Sequence, residues 1–162
     1  DHAHFGSRIL NTAYHPHDPD ILDGEITCLE NMATRWAQGV DAMQRAVEAT
    51  PSRKRENCQR MLALGQFILC SVHTTICVKR WWQLCQKLNA ADDAEERGTI
   101  SESMTALART EIDNVNTAMP LVEFDSRLGW EPSMEYMTDP DHLRWKIDQV
   151  HRVLEELQAL RQ

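Results

Sequence analysis

The sequence predicts an all-α fold, an up-and-down bundle of about four long helices with one long ordered loop before the last helix. Three observations predict it. Apolar residues recur every three or four positions in four separate stretches. Proline or short polar runs separate those stretches. Nowhere do strand-like and helix-like segments alternate, so a (β/α)8 barrel is excluded from this chain.

The first helix is expected from about Ile21 to Ala49, where Leu22, Ile26, Leu29, Ala33, Trp36, Val40, Met43 and Val47 fall on one face. Gly24 and Gly39 each cost about 1 kcal/mol against Ala inside a helix, and they are expected to permit close approach of a neighbour. Thr50-Pro51-Ser52 ends the helix, because proline cannot continue a helix interior. The second helix is expected from Ser52 to about Leu88. From Met61 to Trp82 it is apolar nearly all round, so it should be the most buried element and have surface left for a neighbouring domain or subunit.

The third helix is expected from about Asp93 to Met119, with Ile100, Met104, Leu107, Ile112, Val115 and Ala118 or Met119 as its stripe. Asp92, Asp93, Glu95 and Glu96 suit its positive N-terminal end, and Pro120 should end or kink it. Residues 120–138 then form a long connection that carries Phe124, Leu128, Trp130, Met134, Tyr136 and Met137, too much apolar mass for a disordered linker. The last helix begins with Asp139 as N-cap and Pro140 as first residue. Its stripe is Leu143, Ile147, Val150, Leu154, Leu157 and Leu160.

Residues 1–20 form an extended His-rich lead-in, and residues 21–162 form a single helical domain. The length of 162 residues suits one domain. A chain of that size buries roughly 68–70% of its unfolded surface, enough for a core without disulfides or metal. The net charge of −8 disfavours phosphate backbones, so nucleic acid is not expected as a partner. Arg53-Lys54-Arg55 reads as a solvated helix start. The five cysteines are odd in number and form no CxxC pair. Buried thiols in a reducing, cytoplasmic setting are the simplest reading. No apolar run approaches the length of a membrane span, and no secretory signal is apparent. The chain begins at Asp1 without an initiator Met, which reads as a processed protein or an excised fragment.

Candidate chemistry is sparse, and no cofactor is expected. His2, His4, His15 and His17 are ligand types for zinc, copper or nickel but lie on no predicted scaffold. Cys70, His73 and Cys77 share one stripe and could form a zinc half-site without a visible fourth ligand; a buried His73 with one hydrogen-bond partner is the simpler expectation. No Glu-x-x-His pair of the di-iron bundle type occurs. Trp81, Trp82 and Trp36 suggest a sugar-stacking platform, but adjacent tryptophans on a helix point about 100° apart, which favours core packing. The sharpest cluster is Asp125, Arg127, Trp130 and Glu131 around Gly129. An internal ion pair that folds the loop is the plain reading; contact with a ligand or partner domain is the functional one. No nucleophile elbow, P-loop or dinucleotide fingerprint occurs.

The stretch from Ala108-Arg109-Thr110-Glu111-Ile112 through Pro120 to Asp125-Ser126-Arg127-Leu128-Gly129-Trp130-Glu131-Pro132-Ser133-Met134-Glu135-Tyr136, followed by His142-Leu143-Arg144-Trp145-Lys146, resembles the C-terminal helical region of α-glucuronidase-like glycoside hydrolases of gut bacteria. The resemblance covers about a third of the chain. It implies an accessory domain of a carbohydrate-active enzyme whose barrel carries the catalytic carboxylates elsewhere. No catalytic residue carries over, and this segment is not expected to be catalytic by itself. Asp125, Arg127, Trp130 and Glu131 are the implied contact positions. The expected partner is the catalytic domain of a parent chain or a second copy. A stand-alone helical interaction module and a metal-binding bundle are the alternatives, with an independent enzyme last.

Overall fold

The computed structural model describes residues 19–131 and 136–159. It is an all-α helical bundle. Among the described residues four helices follow one another: α1 (Pro19–Ala49), α2 (Ser52–Ala90), α3 (Ala94–Phe124) and α4 (Pro140–Ala159). Between α3 and α4 lie two-residue strands, β1 (Trp130–Glu131) and β2 (Tyr136–Met137), paired antiparallel with Trp130 opposite Met137 and Glu131 opposite Tyr136. The expected lead-in lies outside the described residues up to position 18; residues 19 and 20 already belong to α1.

Helix α2 is the spine, with α1 against one side and α3 against another, while α4 packs along α3. Three apolar clusters hold this order. Leu22, Ile26 and Ala33 of α1 meet Val72 and Ile76 of α2. Ala63, Phe67 and Cys70 of α2 meet Val115, Ala118 and Val122 of α3, closed by Leu128 and Leu143. Ala91, Ile100, Met104 and Leu157 close the far end with Trp81 and Leu88.

Asp139 caps α4 as expected, accepting from His142 N at 2.9 Å. Asp93, expected only as a charge suited to the start of α3, is its N-cap and accepts from Glu96 N at 2.7 Å. Other expectations are corrected. Pro120 does not end α3, which runs four residues further. One missing N–H is a local cost, whereas the extra turn sets Val122 into the core at 2% exposure. The α3 stripe is also rotated: Ala108 and Glu111 are buried, where Leu107 and Ile112 are only half-buried.

Among the described residues no neighbour from another element lies within 4 Å of a Cβ built at Gly24 or Gly39, so neither seats a close approach there. Gly65 of α2 faces α1 instead, where a Cβ would lie 3.4 Å from Met43 Sδ, in ordinary contact. The α2 face is not covered all round, because Met61 and Leu64 are exposed. By length and composition alone α2 could cross a membrane, which corrects the expectation of no such segment. In this fold the same helix carries the buried Lys79, which pairs with Glu25 at 2.8 Å.

Candidate functional site

The loop after α3 is built on one buried carboxylate. Asp125 leaves the helix in an extended conformation, and its N–H still donates to Leu121 O at 3.0 Å. Its side chain turns inward, only 5% exposed. Arg127 grips it with a two-pronged fork, Nε to Oδ1 at 2.8 Å and Nη2 to Oδ2 at 2.7 Å. The backbone N–H of Arg127 donates to the same Oδ1 at 3.2 Å. From α2, Arg60 adds a second guanidinium, 3.4 Å from Oδ2, and lies over the Phe124 ring at 5.4 Å. Hydrogen bonds from Arg127 hold the Asp125 carboxyl well below the usual carboxylate range, against the opposing effect of burial.

The rest of the loop follows from that anchor. Leu128 N donates to Asp125 O at 3.0 Å and drops the Leu128 side chain into the core. Gly129 then takes φ +71°, a left-handed turn that glycine adopts without steric cost. A Cβ there would sit 2.5 Å from Thr138 Cβ and 3.1 Å from Phe67 Cζ. Thr138 N closes the excursion onto Gly129 O at 3.0 Å.

Of the four predicted contact residues, the structure brings Asp125 and Arg127 together as the internal ion pair. Trp130 and Glu131 form β1, and their side chains lie outside the described ones. The inner edge of the Arg127 guanidinium is occupied by Asp125, so a bidentate grip on a ligand carboxylate is not on offer there. A guanidinium carries five N–H donors, and the Arg127 side chain is 74% exposed, so its outer edge faces solvent.

A second polar cluster lies at the heart of the α2–α3–α4 packing. Glu111, 10% exposed, accepts from Thr74 Oγ1 at 2.7 Å and from Lys146 Nζ. Asn114 donates to Cys70 O at 2.9 Å and to Thr74 Oγ1 at 3.0 Å. Helices α2, α3 and α4 thus contribute to one network. Among the described residues no N–H or O–H donor reaches Glu111 Oε2, which is buried next to the Cys77 thiol. Beside it, burial and then the Glu111 charge push the Cys77 thiol up to about 12. A cavity of about 200 Å³ adjoins the cluster, walled by Val78, Trp81, Leu107, Val150 and Val153. The charges are satisfied mainly by one another, which suits fixing helix register better than chemistry.

The remaining expectations sort plainly. His73 is exposed, not a core histidine, while Cys70 and Cys77 are buried, so the three do not converge. Among the described residues no group of three or more His, Cys, Asp or Glu could hold a metal ion. His2, His4, His15 and His17 lie outside the described residues. Trp81 and Trp82 diverge into different clusters and form no platform. Trp36 is partly exposed and donates its indole N–H to Gly65 O at 2.8 Å.

Sequence reasoning missed Arg60, which no local signal links to a carboxylate 65 positions on. It also missed Glu111, which had one: a charge in register with Met104, Ala108, Val115 and Ala118. Compared with protein-family models, curated proteins and solved structures, the chain gives no match.

Proposed function

We propose that this helical domain is an accessory part of a larger carbohydrate-active enzyme of the glycoside hydrolase type and packs on its catalytic domain. The observation that carries the reading is the clamped loop. Asp125 holds Arg127 and Arg60 together, so the Asp125–Glu131 segment is preorganised while Arg127 projects outward. Exposed Phe124 is the last residue of α3, and exposed Met61 and Leu64 follow Arg60 in the chain. A rigid polar anchor with apolar neighbours is the chemistry of a domain–domain contact.

The role is structural. The buried Glu111 network ties the helices together, and the loop wording is what connects the chain to sugar-acid glycosidases. The test is the coding context of the segment. A reading frame that continues into alternating strand and helix patterns, and whose full-length product cleaves sugar-acid glycosides, is the expected result. A frame bounded on both sides by stop codons with no such segment overturns the reading.

A further inference from the structure

A cleft of about 410 Å³ runs between α2 and α4, above α3. That size lies within the roughly 300–1,000 Å³ of small-molecule sites. Ser71 and Thr75 line it from α2, and His142 and Trp145 line it from α4. Their spacings of four and three put each pair on one face of its helix, a turn apart. Thr74, Asn114, Thr138 and Lys146 complete the polar lining. Phe67, Val115, Ala118 and Leu143 supply apolar surface from the core below. Trp145 is 63% exposed, more than any other large apolar residue among the described ones, although Leu143 and Ile147 of the same helix pack into the core.

The polar groups of the cleft are unequally used. Ser71 Oγ donates to Phe67 O at 3.0 Å and Thr75 Oγ1 to Ser71 O at 2.9 Å, so both hydroxyls keep only lone pairs for a ligand. Asn114 spends both amide hydrogens, on Cys70 O and Thr74 Oγ1, and keeps Oδ1 as an acceptor. His142 Nδ1 lies 2.9 Å from Asp139 Oδ1 and holds its proton there, which leaves Nε2 of the neutral ring as an acceptor. Lys146 commits its ammonium to Glu111 Oε1 and Thr74 Oγ1, with one N–H left over. Acceptors thus outnumber donors along the cleft. That balance selects the ligand, because a buried polar group must find its complement. A phosphate or carboxylate would meet acceptors and a lysine already paired. A cation would meet the Lys146 ammonium. A neutral ring with O–H donors on its rim and C–H groups on its faces meets acceptors and an indole.

We propose that this cleft binds a neutral saccharide, one pyranose face against Trp145 and the ring hydroxyls donating to Ser71, Thr75 and Asn114. The site goes beyond the accessory-domain reading and does not rest on it. A saccharide-binding chain without a glycosidase parent, or a glycosidase parent whose helical domain ignores sugars, separates the two. Titration of cellobiose and of maltose into the full isotope-labelled chain is expected to move the amide resonances of Ser71, Thr75 and Trp145, saturating at concentrations on the order of 1 mM. Because Trp145 is a surface residue, Trp145→Ala should keep the helical circular dichroism spectrum while affinity falls about tenfold. Trp145→Phe should restore part of the loss. Ser71→Ala combined with Thr75→Ala should also weaken binding with the spectrum unchanged. Glucuronate should bind more weakly than glucose, its neutral counterpart. No saturable shift with either disaccharide overturns the proposal, as does an affinity unchanged in Trp145→Ala. Glucuronate bound more tightly than glucose overturns it equally, since the acceptors would then not be what the ligand meets.

Discussion

Asp125 and Arg127, two residues apart, share two parallel hydrogen bonds of 2.8 and 2.7 Å, and the loop before α4 hangs on that pair. Because Arg127 hydrogen bonds lower the folded-state pKa of Asp125, the pair contributes stability that is fully present above the ordinary carboxylate value of 3.8 and is lost as pH falls below it. Asp125→Asn should therefore flatten the decline of Tm in acid. It should also speed hydrogen exchange at Leu128 and Thr138, whose amides close the loop. A variant with unchanged acid sensitivity and unchanged exchange would show that the loop holds without the carboxylate.

Gly129→Ala meets two obstacles at once. The positive φ disfavours any Cβ by about 1–2 kcal/mol, and the new methyl would meet Thr138 and Phe67. A loss of about 2–3 kcal/mol in urea unfolding is expected, against a gain of about 1 kcal/mol for Gly24→Ala, where the helix has room for a methyl.

Pro120 sits inside α3 with its side exposed to solvent, so its helix cost is not offset by packing of its own ring. Pro120→Ala restores an N–H and should raise stability by up to about 3 kcal/mol. A destabilised variant would mean that a local bend at this position is needed to seat Val122.

Glu111 and Lys146 test whether the polar centre is there for stability. Removing Glu111 alone, as Glu111→Leu, leaves Lys146 beside an apolar core and should cost about 3 kcal/mol. Glu111→Leu combined with Lys146→Met should recover most of that loss, because a well-packed apolar pair of similar volume is commonly as stable as a buried ion pair. Recovery absent in the double variant would assign the loss to Thr74 and Asn114, the neutral members of the network.

Thiol labelling reads the burial of α2 directly. Cys70 and Cys77 are buried, and burial raises both pKa values, that of Cys77 to about 12. At pH 8 these two should stay unreactive until the chain unfolds, since the thiolate is the reactive form. Labelling of all five cysteines under native conditions would contradict the packing of α2 between α1 and α3.

The helices were legible because their stripes and caps are local. Leu22-Ile26-Ala33, Leu143-Ile147 and the caps Asp93 and Asp139 can each be read within a few residues. What escaped depends on contacts between distant positions. The extension of α3 past Pro120 follows from burial of Val122 against α2, and the α3 stripe rotates because Glu111 finds Thr74 and Lys146 on other helices. The same holds for the loop. Its ion pair was readable from Asp125 and Arg127, but Arg60 comes from α2, and only folding brings it there.

The layering has a kinetic meaning. Helix α2 takes part in all three apolar clusters, whereas α1 is held mainly by the one it shares with α2. The molecule thus consists of an inner triplet, α2–α3–α4, and an outer helix that can leave without dismantling it. Local opening runs from near zero up to the global unfolding free energy, and α1 belongs at the low end of that range. Its amides should exchange first as a cooperative block, exposing Val72 and Ile76 while the Glu111 network stays closed, so the outer helix is a detachable cover over an independently persistent core.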